Sequence, residues 1–191
     1  MTLASRLKQK KSTVAAEWLD RTLRTYPTDS VNFFSKQKDQ FANPVGHAHA
    51  QGTQGIVDIL VESKELGEAQ PHLMEIIRIR AIQDMPASAA ISFVFFLKDV
   101  VRTLLKSELK DPSFAIDLQA FDKRVDELAL IAFDAYASCR EKLYAIRVDE
   151  VKRNVSNHLK RTGFFESDPG IEPDPRPGNT VCRDQQRGGG R

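Results

Sequence analysis

The chain has 191 residues, 41% of them hydrophobic and 28% charged, with 28 basic against 26 acidic side chains for a formal net charge of +2. That profile fits one sizeable domain, or one domain with an appendage, and excludes a chain that is disordered throughout. The near balance of charge gives no basic excess from which to build a phosphate-binding surface, so nucleic acid is not an expected partner.

Two cysteines, Cys139 and Cys182, are too few and too scattered for a disulfide framework or a zinc cluster. The N-terminal stretch MTLASRLKQKKSTVAAEWLDR lacks the apolar core of a secretory signal. The most apolar run, AAISFVFFL, meets Lys98 and Asp99 and is too short to cross a bilayer. No membrane insertion is expected, and a reducing cytoplasm is the expected compartment.

Helix signals dominate in chain order. Leu3, Leu7, Val14, Trp18 and Leu19 recur at helical spacing and predict a first helix from Leu3 to Leu23, weakened at KQKK and stopped at Tyr26-Pro27. Thr28 and Asp29 cap a short helix through Val31, Phe33 and Phe34. FANPVGH breaks the chain, and a third helix is predicted from Pro44 to Leu66, with Gly67 at its end. The fourth, Ala69 to Gln83, would bury Leu73, Ile76, Ile77, Ala81 and Ile79. After Asp84-Met85-Pro86, a fifth helix runs through Phe93–Leu97 to Leu105; residues 93–97 are apolar on every side, which predicts the central, most buried element.

From Ser113 to Arg161 neither proline nor glycine occurs, which predicts one helix far longer than the usual eleven or twelve residues. Its first half steps through Phe121, Val125, Leu128, Ala132, Ala135 and Cys139 as a core face. In its second half the seam shifts to Tyr144, Val148, Val151, Val155 and Leu159, a narrow stripe with charged flanks. Such a stripe at spacings of four and three is what a two-stranded coiled coil uses. The last 29 residues hold six of the ten glycines and four of the nine prolines, a composition expected to stay disordered. The expected organisation is therefore a helical domain over residues 1–162, including an exit helix at 113–161, and a disordered tail over 163–191.

Candidate chemistry is sparse. His47 and His49 are two apart and point to different faces of a helix, so they cannot jointly hold a metal there. His72 begins the fourth helix and could serve as an axial haem ligand in a globin-like pocket, although a partly exposed helix-start histidine is the expected role. Cys139 lies on the buried face, where a free thiol behaves as a small apolar group, and Arg140 points about 100° away from it. Arg80 and Asp84 have the i,i+4 spacing of an ion pair, and Glu75 can meet Arg78. Structural pairing of these charges is expected, with a cleft for an anionic ligand or a partner as the alternative. No paired-carboxylate, Ser-His-Asp, P-loop or dinucleotide motif is present, so neither an enzyme nor a cofactor is expected.

Four stretches, EWLDRTLRTYP, KQKDQFANPVGH, IIRIRAIQDMPASAAISFVFFLK and LIAFDAYASCREKLYAIRVDEVKR, together resemble the RsbRD N-terminal domain family, also described as the RsbT co-antagonist N-terminal domain. The resemblance covers about residues 15–155. It implies a cytoplasmic, all-α, globin-like or bundle-type sensory domain without haem, dimeric, joined in related stressosome proteins by a linker helix to a STAS domain. Only 30 residues follow Arg161, too few for a STAS domain, so the expectation is a stand-alone regulatory module. Similar stand-alone copies also point to an alternative role beside respiratory sulfur-metabolism complexes. In this architecture Asn43, His47, Arg78, Arg80 and Asp84 are candidates for the input or ligand-cleft side. Arg140, Glu141, Tyr144, Arg147, Val148, Glu150, Val151, Val155 and Leu159 are candidates for a homodimer or protein-partner surface.

Overall fold

The structure, a computed structural model, describes residues 2–36, 39–108, 111 and 114–162. The expected disorder of 163–191 lies outside these residues. Among the described residues there are eight α-helices and no strand: α1 Leu3–Gln9, α2 Lys11–Leu23, α3 Thr28–Lys36, α4 Pro44–Val61, α5 Gln70–Ile82, α6 Ala87–Ser92, α7 Phe96–Leu104 and α8 Phe114–Arg161, with a 3₁₀ turn at Leu66–Ala69. The all-α expectation holds, and so does the single long last helix. Two compact units divide the chain, Met1–Val148 and Asp149–Arg191.

In the first unit the core is built where α2, α4, α5 and α7 pack pairwise. Trp18 of α2 is fully buried; its ring stacks 5.8 Å from that of Phe93, and its Nε1 donates to the Phe93 carbonyl at 2.6 Å. A buried indole keeps its one donor satisfied in this way. Phe121, Val125, Leu128, Ala132 and Ala135 of α8 join the same core, with Cys139 packed partly buried at its edge. α4 and α5 meet almost backbone to backbone. A Cβ on Gly52 would lie 2.8 Å from Ile76 and 2.9 Å from the His72 carbonyl, and one on Gly55 would lie 2.4 Å from the His72 ring.

Helix boundaries depart from the sequence expectation in three places. The first predicted helix breaks at Lys10, whose N–H is shared between the carbonyls of Arg6 and Leu7. Its ammonium reaches the Leu104 carbonyl at the end of α7, 2.9 Å away, a cation placed at a helix C-terminus. α4 ends five residues early. Ser63 takes a left-handed φ of 54°, and Lys64 N–H returns to the Ile59 carbonyl at 3.0 Å, a Schellman closure in which serine stands where glycine is favoured. The fifth predicted helix is two, α6 and α7, because i,i+3 bonds from Val94 to Ile91 and from Phe95 to Ser92 tighten the chain between them. Phe95 consequently turns outward.

The close approach of α4 and α5 makes Gly52 the more informative glycine to replace. Gly52→Ala gains helix propensity of about 1 kcal/mol but forces its methyl against backbone. A net loss of about 1–3 kcal/mol in urea unfolding is expected, whereas Gly67→Ala, whose Cβ would have its nearest neighbour 4.0 Å away, should move stability by no more than about 1 kcal/mol.

Candidate functional site

The C-terminal end of α5 carries two charges that point opposite ways. Arg80 turns inward and is completely buried. Its Nη2 donates to the Thr22 carbonyl at 3.2 Å and to Thr25 Oγ1 at 2.9 Å, and its Nη1 to the Ala89 carbonyl at 3.2 Å. The guanidinium carbon lies 4.8 Å from the centroid of the Phe93 ring and 5.3 Å from that of Tyr26, within cation–π range. No carboxylate among the described residues pairs with it. Burial pulls its pKa below the ordinary arginine value, opposed by Tyr26. The expected Arg80–Asp84 ion pair is therefore corrected: the two side chains leave the helix end on opposite sides.

Asp84 instead faces α8. It occupies the C′ position of a second Schellman closure, with Met85 N–H returning to the Arg80 carbonyl at 3.3 Å and φ at 55°. Its carboxylate accepts hydrogen bonds from Arg140 Nη1 and from Arg147 Nη2, the latter at 3.5 Å. The Arg140 bond holds the Asp84 carboxyl below the usual carboxylate range, and Asp84 in turn raises Arg140. Arg140 also donates to the Ala81 carbonyl at 3.0 Å and to Tyr144 Oη at 2.9 Å. Tyr136 Oη donates to the Met85 carbonyl next door. Three turns of α8 are thus fastened to one turn of chain at the end of α5.

The other expected input residues do not converge there. Asn43 is buried and caps α4, accepting from Gly46 N–H at 2.8 Å and donating to the Phe34 carbonyl at 2.8 Å. His47 is partly buried on the first turns of α4, and Arg78 is exposed on α5; no ion pair joins it to Glu75 among the described residues. Cys139 is partly buried, its Sγ 3.6 Å from Met74 Sδ. His72 packs on Gly55, so an axial haem ligand there would require α4 and α5 to part. Among the described residues no group of three or more His, Cys, Asp or Glu side chains could hold a metal.

His49, which the sequence singled out only as pointing away from His47, is fully buried. Its Nδ1 meets the Val45 carbonyl at 2.8 Å and its Nε2 meets Tyr26 Oη at 3.2 Å. A carbonyl only accepts, so Nδ1 carries the proton and Nε2 accepts from the phenol. Burial drives the His49 pKa down to about 4, and the Arg80 charge adds to the shift.

On the α8 surface the second seam lies open. Tyr144, Val148 and Val155 are each 51% exposed and Val151 is 60% exposed; Leu159 is partly exposed, and Glu141 and Glu150 are exposed. The seam does not extend the core face. At about 100° per residue Tyr144 and Val148 lie on roughly the opposite side of the helix from Phe121, Val125 and Leu128.

His49 makes stability depend on pH. Its folded pKa lies below the unfolded value of about 6.5, so the unfolded chain takes up the proton first and stability falls as pH drops from 6.5 towards 4. Linkage gives a loss of about 2 kcal/mol between pH 7 and pH 5. Urea unfolding at the two pH values should show that loss in the natural chain and much less of it in His49→Gln.

Residues 12–151 match the family described as RsbT co-antagonist protein rsbRD N-terminal domain. Comparison with curated proteins and with solved structures found no match. No helix among the described residues is long and apolar enough to cross a membrane. With more than half of its length matched, the chain belongs to the RsbT co-antagonist protein rsbRD N-terminal domain family, a stressosome-type signalling and regulatory family.

Proposed function

We propose that the chain is a non-enzymatic cytoplasmic regulatory module that works by association, pairing with a second copy through the outer edge of α8 and presenting that helix to a partner protein. One observation carries this reading: the unbroken α8 holds Tyr144, Val148, Val151 and Val155 at spacings of four, three and four, each half or more exposed. Scattered exposed apolar residues are ordinary on a protein surface, but a contiguous stripe marks an interaction site.

The fastening of α8 to the end of α5 supplies the control. Asp84, first placed with the input candidates, belongs with Arg140, Tyr144 and Arg147 on the output side. Arg80, one turn earlier, is set by the packing of α2 and α6. A rearrangement of those helices would move the α5 end and loosen or tighten its grip on α8, a two-state element of the kind regulatory coupling needs.

Two measurements test the reading. Replacing Val148 and Val155 together by lysine should leave the helical circular-dichroism spectrum intact while light scattering shows the dimer mass halved; a variant that stays dimeric overturns the seam as an interface. Asp84→Asn keeps a residue tolerated at positive φ and removes the charge. Hydrogen exchange across 140–148 should then speed up, and unchanged protection there would remove Asp84 from the control of α8.

A further inference from the structure

Where α1, the end of α4 and the start of α8 meet, the body holds a groove that the association proposed above does not use. Its volume is about 340 Å³, at the small end of the range for ligand sites. Leu3 and Leu7 of α1, Leu60 of α4, and Ala120 and Phe121 of α8 give it an apolar lining. Leu7, Leu60 and Phe121 also border a wholly apolar void of about 10 Å³ deeper in the core, room for about one water-sized group. Empty apolar space forfeits packing, so groove and void together favour an apolar occupant.

Two charges stand at the ends of the α8 wall. Asp117 and Arg124 both line the groove; seven residues apart, they share one face of the helix about 10.5 Å from each other along its axis. Asp117 is already engaged, its Oδ2 accepting from the Leu3 N–H at 3.1 Å. Arg124 is less so. Its Nη2 donates to the Lys64 carbonyl at 2.6 Å, but its Nε is buried without a hydrogen-bond partner, and no carboxylate pairs with it among the described residues. The groove is thus apolar along its length, with a spare positive charge at one end and a negative charge at the other.

We infer that this groove binds a medium-chain monocarboxylate, its carboxylate on the Arg124 guanidinium and its chain over Leu60 and Phe121 with the tip at the void. Charge sets the head group: a carboxylate supplies the acceptor that Arg124 lacks, and hydrogen bonds between charged partners are the strong ones. Charge also sets the selectivity, because Asp117 opposes a second carboxylate at the far end. The chain has a way in. Leu7 sits on α1, only seven residues long, and a helix that short has little stability of its own, so this wall can yield. The inference does not rest on the association proposed above, and either can fail while the other stands.

Titration calorimetry on the full chain tests this with butanoate, hexanoate, octanoate, octanedioate and octylamine. Affinity should rise about three- to fourfold per methylene from butanoate to octanoate. Octanedioate and octylamine should bind at least about tenfold more weakly than octanoate. Arg124→Gln should weaken octanoate about ten- to a hundredfold, whereas Arg124→Lys, which keeps the charge, should retain most of the binding. Ala120→Phe fills the groove from an exposed position and should abolish binding, with the helical circular-dichroism spectrum of each variant unchanged. The ligand series needs no variant, so it decides the matter even where a substitution unfolds the chain. No binding at millimolar octanoate overturns the inference, as does octylamine binding as tightly as octanoate. Octanoate affinity unaltered in both Arg124→Gln and Ala120→Phe would place the binding elsewhere and overturn it equally.

Discussion

Arg80 brings a full positive charge into the centre of the body and meets carbonyl oxygens and aromatic faces there instead of a counter-ion. An unpaired buried charge is expensive, so each of those contacts is needed, and they come from different parts of the chain: Thr22 and Thr25 at the end of α2, Ala89 in α6, Tyr26 beyond α2 and Phe93 before α7. Holding one guanidinium therefore ties together the end of α2, α6 and the turn before α7. Tyr26 extends the constraint to α4 through His49, and Phe93 extends it to α2 through Trp18. Because its Nε finds no hydrogen-bond partner among the described residues, the arrangement is not fully satisfied.

The same helix end explains why an aspartate stands where the backbone favours glycine. The Schellman closure requires a left-handed residue at the C′ position, and outside glycine such a conformation costs of order 1–2 kcal/mol. Ser63 and Asp84 both accept that conformation, but only Asp84 uses its side chain to hold another helix. Its carboxylate receives Arg140, and Arg140 also covers the open carbonyl of Ala81. Under the proposed function, strain kept where one side chain gathers two cations is what a control point would use.

The periodicity of the sequence was enough to locate the long helix to within one residue, because Pro112 precedes it and nothing breaks it before Gly163. Pro44 marked the start of α4 equally well, since its ring suits the first turn of a helix. Of the misplaced boundaries, two involve tertiary contacts and that at Ser63 is a local closure. Lys10 is drawn to the end of α7, Ser63 does the work assigned to Gly67, and Trp18 claims the Phe93 carbonyl at the break before α7. The site was legible only in its members. Arg80, Asp84 and Arg140 stood out as charges amid apolar residues, but i,i+4 spacing suggested that the first two pair with each other. Nothing local could reveal that Arg80 has partners on α2 and α6 while Asp84 has its partners some sixty residues further on. His49 was hidden for the same reason: its burial depends on Tyr26, which sequence spacing does not connect to it.

The second unit described here is the end of α8, from Asp149 to Arg161, roughly three and a half turns. A helix that short is marginal in water by itself, and continuity with the body removes its nucleation cost without explaining its composition. A purely solvated helix would use alanine, glutamate or lysine on its faces. Here Val151 and Val155 occupy one line, and β-branched residues lose side-chain freedom in a helix and gain nothing from water. Their placement continues the spacing of Tyr144 and Val148, and under the association proposed above that line is covered. The opposite side of α8 is committed to the core as far as Ala135 and Tyr136. The core line of α8 is satisfied within the chain; the exposed line is the one proposed above to meet another molecule. On that proposal, a rearrangement at the end of α5 acts through Asp84 on its hold of Arg140 and Arg147.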